Sequence, residues 1–388
     1  MNKQKILILT NFYLPGYKAG GPIQSVANMI DAIGDRYSFY IVTTDRDLYD
    51  TKQYDSIQHK EWIQHNKAYV RYLTPDEQTL KKYQCIINDT KPDLIYCQSF
   101  FNPKFTFLPL LALLFSKQRK CPVLIAPRGE LSDSCIRNKH MKKTLYIVFF
   151  KYLLNRFLLC YYHGSTTEEC QSITHCLGDS IQCYAALNFN QQGHVNLSPE
   201  ELSSYPELHI VFFSRIDPKK NLDYSLRVLS RVKSPIKFDV FGAVSDSSYH
   251  DYCKQIAATL PKHISVSFQG SLPHHAVLTT LQKYDLLFFP TKNENFGHVI
   301  HEALCAGLPC LISDQTPWHE LNTRNAGWEV SLDHPEEFAK HIEEYSSSSL
   351  DQRISMHEAA LRYGMDVSNN SKTYHDNILM LDSILSSS

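Results

Sequence analysis

Short apolar runs separated by helix-length amphipathic stretches recur along the whole 388-residue chain, and this rhythm limits its fold more than any other feature. Runs at 5–10, 39–43, 93–98, 122–126, 158–162 and 181–185 read as strands, with helix-length segments such as 24–33 and 106–116 between them. A second series follows at 209–214, 237–241, 265–269, 285–290 and 310–313. Strands alternating with helices form parallel sheets covered on both faces, because a crossover helix must return the chain to the sheet's starting edge. Two series therefore predict an α/β protein of two doubly wound, Rossmann-like domains. The length agrees, at ~100–200 residues per domain. The polar stretch 191–207, with Gly193, Pro199 and Pro206, predicts the seam. The expected divisions are 1–195, 205–365 and a tail at 366–388, whose apolar Ile378, Leu381 and Ile384 predict a helix able to pack back on the first domain. The serines at 346–349 predict a loop. Two such domains across a cleft would place a ligand at the carboxyl ends of the strands.

Composition removes several classes of function. Hydrophobic residues at 43% and charged residues at 20% exclude a disordered chain. Lys and Arg total 39 against 40 acids, so no global basic field exists to coat nucleic acid, and only a local basic patch is left open. Eleven cysteines form no CxxC, and several sit in apolar runs, which points to free thiols in a reducing compartment. The opening residues lead straight into the first strand, and no secretory leader is expected. The longest apolar stretch, 105–115, is far below the ~20 residues a spanning helix needs. The expectation is a cytoplasmic protein, soluble or peripheral on the inner face of the membrane.

The chemistry concentrates at 288–318. There a strand ends at Pro290, a polar loop follows, and Gly297 opens a helix closed by Gly307. The expected helix start would turn the amides of Phe296, Gly297 and His298 toward the cleft, where they suit an anion, and a diphosphate fits them. Glu302, one turn later, could accept hydrogen bonds from a ribose diol. Glu294 and Glu302 form an E-x7-E pattern; taken alone, each glutamate equally fits a solvated helix face or a loop. A second segment strengthens the case. The strand at 209–214 runs into Arg215, and Lys220 begins the next helix. Two fixed cations can neutralise a diphosphate without a metal. A lysine at a helix start opposes the dipole, which favours an anionic ligand beside it.

Taken together and in order, these segments resemble the retaining glycosyltransferases of the GT-B fold, family four (the glycosyltransferase group-1 family). The matching elements are Arg215, Lys220-Asn221-Leu222-Asp223, Glu294 through Glu302, and the glycine-rich Lys18-Ala19-Gly20-Gly21-Pro22. The resemblance implies a second domain that binds a UDP- or GDP-linked sugar and a first domain that binds a saccharide or lipid-linked acceptor. Arg215 and Lys220 would hold the diphosphate as it leaves, Glu294 the donor sugar, and Glu302 the ribose. Phe296, Gly297, His298 and Val299 would present amides, Gly242 and Leu272 would lie near the base, and Gly20 and Gly21 would approach the diphosphate from the first domain. No cofactor is implied, and the family is usually metal-independent.

One departure concerns the acceptor side. Where many family members carry a histidine, this chain has Pro127-Arg128-Gly129-Glu130. Arg128 cannot act as a base at neutral pH, but it could bind an acceptor phosphate or the donor. Glu130 and His163 are further acceptor-side candidates, though a histidine there equally fits the core. Asp45-Arg46-Asp47 has the letters of a metal motif, yet it follows an early strand, where Asp45 would line the acceptor side or cap a turn. His298 and His301 beside Glu302 invite a zinc reading, but H-E-x-x-H would need a histidine at 305, which is Cys305, so no metal site is expected. The stretch 139–160 carries Lys139, Lys142, Lys143, Lys151 and Arg156 among apolar residues, and could rest on anionic lipid or pack half-buried. The expected function is transfer of one sugar in surface polysaccharide or lipopolysaccharide assembly. A GT-B-fold sugar-nucleotide epimerase and a catalytically silent scaffold are the alternatives.

Overall fold

The computed structural model describes residues 3–55, 57, 61–132, 135–136, 140–189, 207–368 and 371–387. The predicted seam at 191–207, apart from Glu207, lies outside the described residues, as does Lys139. The chain forms two compact units, 1–190 with 371–388, and 191–370.

The first unit holds an eight-stranded sheet: β1 (Lys5–Leu9), β2 (Ser38–Thr44), β3 (Ile63–His65), β4 (Ala68–Leu73), β5 (Leu94–Cys97), β6 (Val123–Ile125), β7 (Cys160–Gly164) and β8 (Gln182–Ala185), in the order 3-4-2-1-5-6-7-8. Every neighbouring pair is parallel except β3 with β4. The continuous apolar character of β1 follows from burial on both faces. Ile6 and Ile8 join Val26 and Ile30 of α1 (Gly21–Ile33), while Leu7 and Leu9 join Ile86 of α2 (Leu80–Thr90) and Leu110 of α3 (Leu108–Leu114). Further helices are α4 (His140–Phe149), which continues through a π-helical turn at Phe150–Leu154, and α5 (Thr167–Leu177).

The second unit is a six-stranded parallel sheet: β9 (Leu208–Phe213), β10 (Ile236–Phe241), β11 (Ile264–Gly270), β12 (Leu286–Phe289), β13 (Cys310–Ser313) and β14 (Gly327–Val330), in the order 11-10-9-12-13-14. Its helices are α6 (Leu222–Leu229), α7 (Ser247–Ala258), α8 (Val277–Leu281), α9 (His298–Cys305), α10 (Pro335–Ser347) and α11 (Leu350–Ser368). The expected serine loop shrinks to Ser348 and Ser349, because Ser346 and Ser347 complete α10. The tail helix α12 (Ser371–Ser386) belongs to the first unit. Leu381 and Ile384 enter its core, Asp382 accepts from Arg36 Nη2 (2.6 Å) and Tyr37 Oη (2.7 Å), and Asn377 donates to the carbonyl of Leu187 (2.9 Å).

In each unit the strand order reverses between two adjacent strands, β1 and β5 in the first, β9 and β12 in the second. At such a point the loops leave toward opposite sides and open a crevice at the carboxyl ends of the strands, where α/β sheets bind ligands.

Candidate active site

Both halves of the second unit's site grow from its reversal point. β9 delivers Arg215 and Lys220, and β12 delivers Glu294 and Gly297. Three contacts stitch the two loops, and a fourth ties the second loop to the segment after β13. Asn221 Nδ2 donates to the Pro290 carbonyl (2.9 Å), Lys292 N donates to the Lys219 carbonyl (3.0 Å), Thr291 Oγ1 reaches the same carbonyl (3.3 Å), and Glu294 N donates to the Gln315 carbonyl (3.0 Å). Lys220 Nζ forms an ion pair with Glu294 Oε1 and lies 5.7 Å from the ring centre of Phe289. Arg215 is exposed and has no acidic partner among the described residues. One charge of the cation pair is therefore balanced by protein, and the other is not.

Three helix starts, two at this edge and one in the first unit, differ from ordinary ones. Thr79, Thr166 and Asp246 cap α2, α5 and α7 by accepting a hydrogen bond from an amide in the first turn. Gly20, Asn221 and Gly297, which precede α1, α6 and α9, have φ values of 68°, 64° and 79° and give no side-chain cap. At Gly297 the left-handed turn suits glycine, and a Cβ would also press to 2.9 Å from Ile300 Cδ1. The amides of Gly297 and Val299 have no protein acceptor among the described residues, so donors and the helix dipole remain for an anion. The Phe296 side chain is not a ligand group. It is buried against Trp318 and His301, and its carbonyl accepts from Trp318 Nε1 (2.6 Å). His298 and Val299 are half-buried.

Glu302 lies on α9 with its side chain 14% exposed, 3.6 Å from His274 Nδ1. Burial pushes its carboxyl up to about 8, so the group is largely protonated near neutrality until something offers it donors. His274 was not singled out in the sequence; its signal was the Pro273-His274-His275 cluster just past Leu272. Leu272 is half-buried after β11. Gly242, after β10, has φ 147°, and a Cβ there would fall 1.8 Å from the Ser214 carbonyl oxygen, so only glycine lets β10 end against β9.

The first unit treats its candidates otherwise. Asp45 is fully buried and its carboxylate takes Arg46 Nε (2.8 Å) and Nη2 (3.2 Å). Glu130 accepts from Ser99 Oγ (2.8 Å) and the amides of Phe100 (2.6 Å) and Phe101 (3.0 Å); burial raises its carboxyl, with these hydrogen bonds opposing. His163 sits in the core, where Nε2 bonds the Ala186 carbonyl (2.7 Å) and Nδ1 bonds Tyr96 Oη. A carbonyl only accepts, so Nε2 carries the proton and Nδ1 receives the tyrosine hydroxyl. Burial, with Arg128 nearby, lowers the imidazole to about 4. The polar atoms of these three residues are spent inside the fold rather than offered to an acceptor.

Arg128 is the exception. At φ 54° after β6, it donates through Nε (3.2 Å) and Nη2 (2.7 Å) to Gln98 Oε1, and through Nη1 to Asn188 Oδ1. Amides hold it, and no carboxylate pairs with it among the described residues. Gly20 and Gly21 open α1 at this unit's own reversal point. Asp47, outside the sequence expectations except as a letter of the Asp45-Arg46-Asp47 run, accepts from the amides of Tyr17 (2.8 Å) and Lys18 (3.1 Å) and so fixes the loop that carries them. Among the described residues no group of three or more His, Cys, Asp and Glu side chains could hold a metal.

Two Rossmann-like α/β domains with these reversal points define a GT-B-like fold. Solved structures of that fold superpose along almost the whole chain. Sucrose-phosphate synthase from Thermosynechococcus elongatus matches with a TM-score of 0.74 at 12% identity, covering 100% of both chains. Anabaena HepE in complex with UDP and glucose matches with a TM-score of 0.72 at 16% identity, covering 99% of this chain and 100% of the other. A glycosyltransferase from Rickettsia africae matches at 0.69 and 16%, covering 100% of both. In sequence, residues 197–362 match the family model described as glycosyl transferases group 1. No curated protein matches the chain.

Proposed function

We propose that this protein is a family-four glycosyltransferase that moves a sugar from a UDP- or GDP-linked donor to a saccharide or lipid-linked acceptor, with retention at the anomeric carbon. The observation that carries this reading is the edge of the second sheet, where an unpaired Arg215, the Lys220 ammonium and the uncapped start of α9 converge on one reversal point. Breaking the bond from sugar to diphosphate places negative charge on the departing phosphate, and preorganised cations and amides stabilise that charge most as it develops. On donor binding, Lys220 exchanges its carboxylate partner for phosphate oxygens. Glu294 is thereby released toward the sugar, and Glu302 ionises to accept the ribose hydroxyls. The acceptor oxygen forms the new bond to the anomeric carbon as the old C–O bond breaks. Its proton passes to the leaving phosphate, since neither buried Glu130 nor buried His163 is placed to take it. The group-1 match over this unit and the UDP named for HepE support the donor class.

On the acceptor side the reading favours a substrate with an anionic group. Arg128 has five N–H donors, of which its two amide partners take three, and no carboxylate balances its charge. The eleven free thiols support work in a reducing compartment, hence on cytoplasmic precursors of surface polysaccharide or lipopolysaccharide. A thermal-shift series with UDP, GDP and their sugars tests the donor assignment. Stabilisation by one nucleotide class is expected, and no shift with any of them would turn the account toward a silent scaffold.

A further inference from the structure

Helices at a protein surface normally bury one apolar face and give the other to water. The helical segment formed by α4, its π-helical turn and residues 155–157 does not. Its inner face is core: Ile147, Phe150 and Leu154 pack with Ile125, Leu131 and Ile173. Its outer face carries Leu145, Val148, Phe149 and Tyr152, with Phe157 just beyond, and Leu145, Tyr152 and Phe157 are 72%, 68% and 63% exposed. Six of the fourteen large apolar side chains exposed on the described residues fall between 145 and 159, so this is a patch and not scatter.

The charge around it has one sign. Residues 134–167 contain six Lys and Arg and no Asp or Glu, in a chain whose net charge is −1. Lys142 and Arg156 stand on the exposed face at either end of the apolar row, without an acidic partner among the described residues. Positions 142, 145, 148–149, 152 and 156 follow helical spacing, so cations and apolar groups share one stripe. No helix of the described residues is long and apolar enough to cross a membrane. An apolar stripe ended by cations matches a surface that is oily inside and negative at its boundary.

We propose that this face of the first unit docks on a lipid surface bearing anionic headgroups, with Leu145, Phe149, Tyr152 and Phe157 entering the acyl boundary and Lys142 and Arg156 at the phosphates. A second copy of this chain is the competing occupant, but two such faces would bring like charges together. The proposal does not rest on glycosyl transfer, since binding is read without turnover.

The test is cosedimentation of the full chain with phosphatidylcholine vesicles, alone or containing phosphatidylglycerol, alongside the solution mass. Binding is expected only to the anionic vesicles and should weaken as salt rises. Replacing both cations (Lys142→Glu with Arg156→Glu) should weaken it by roughly fivefold or more for each cation lost. Leu145→Glu with Tyr152→Glu should abolish it while the thermal transition stays put, because both side chains face solvent. Unchanged binding in these variants, no binding by the unaltered chain, or a dimer that the second pair converts to monomers would each overturn the proposal.

Discussion

At the carboxyl edge of the first sheet, Asp45, Glu130 and His163 have their polar atoms taken up by backbone or neighbouring side chains. At the corresponding edge of the second sheet, Arg215 stands exposed without an acidic partner, and α9 begins on a glycine that caps nothing. Both edges carry polar residues of the right types, so residue type alone does not separate a binding edge from a structural one. What separates them is satisfaction. A buried polar group must find partners within the fold, whereas a binding group keeps its capacity for a ligand. By this criterion the proposed donor site belongs to the second unit, and in the first unit Arg128 alone among the proposed acceptor-side residues retains capacity.

Substitutions should break the two edges in different currencies. Lys220→Ala is expected to lower transfer about a thousandfold or more with the fold intact, measured as kcat/KM beside circular dichroism, by loss of leaving-group stabilisation. Near-normal turnover would remove Lys220 from the chemistry. Arg215→Ala, at an exposed site, should cost about a hundredfold in kcat/KM and leave Tm unchanged. A matching fall in Tm would mean that Arg215 is structural after all. Glu130→Gln should do the reverse, lowering stability by about 1–3 kcal/mol in urea unfolding while nucleotide affinity is kept.

The smallest expected effect is on pH. Unliganded Glu302 titrates near 8, above its ordinary value of 4.5, so the folded state holds a proton there that the unfolded state has lost. Its contribution to stability is present below 4.5 and disappears as pH rises through 8. If the ribose needs the carboxylate, nucleotide affinity should change in the opposite sense, rising by up to about tenfold per pH unit below 8 and levelling above it. Glu302→Gln should flatten that slope in calorimetry. A slope that survives the substitution would show that His274 or another group titrates instead.

Much of the scaffold was legible because buried parallel strands advertise themselves as apolar runs. β4 was missed, since Tyr69 and Arg71 alternate with its buried residues, and β14 because four residues opening on Gly327 give too short a signal. β7 begins two residues later than its apolar run suggests. Leu158 still closes the preceding helical turn through its bond to the Leu154 carbonyl (3.0 Å), and Leu159 is exposed. In the second unit, motif letters and their spacing lie within one or two loops, so local sequence could show the candidate site. In the first unit the fates of Glu130 and His163 depend on Phe100 and Ala186, about 20–30 residues away, and no local pattern encodes those partners.

Calorimetric titration of UDP and GDP into the unaltered protein, Arg215→Ala and Glu130→Gln bears most directly on the claim that the second sheet's edge holds the diphosphate. The account predicts that one nucleotide binds the unaltered protein and Glu130→Gln alike and that Arg215→Ala weakens it at least about tenfold, a charge-assisted contact being worth ~1.5–3 kcal/mol. Equal affinity in all three proteins would contradict it.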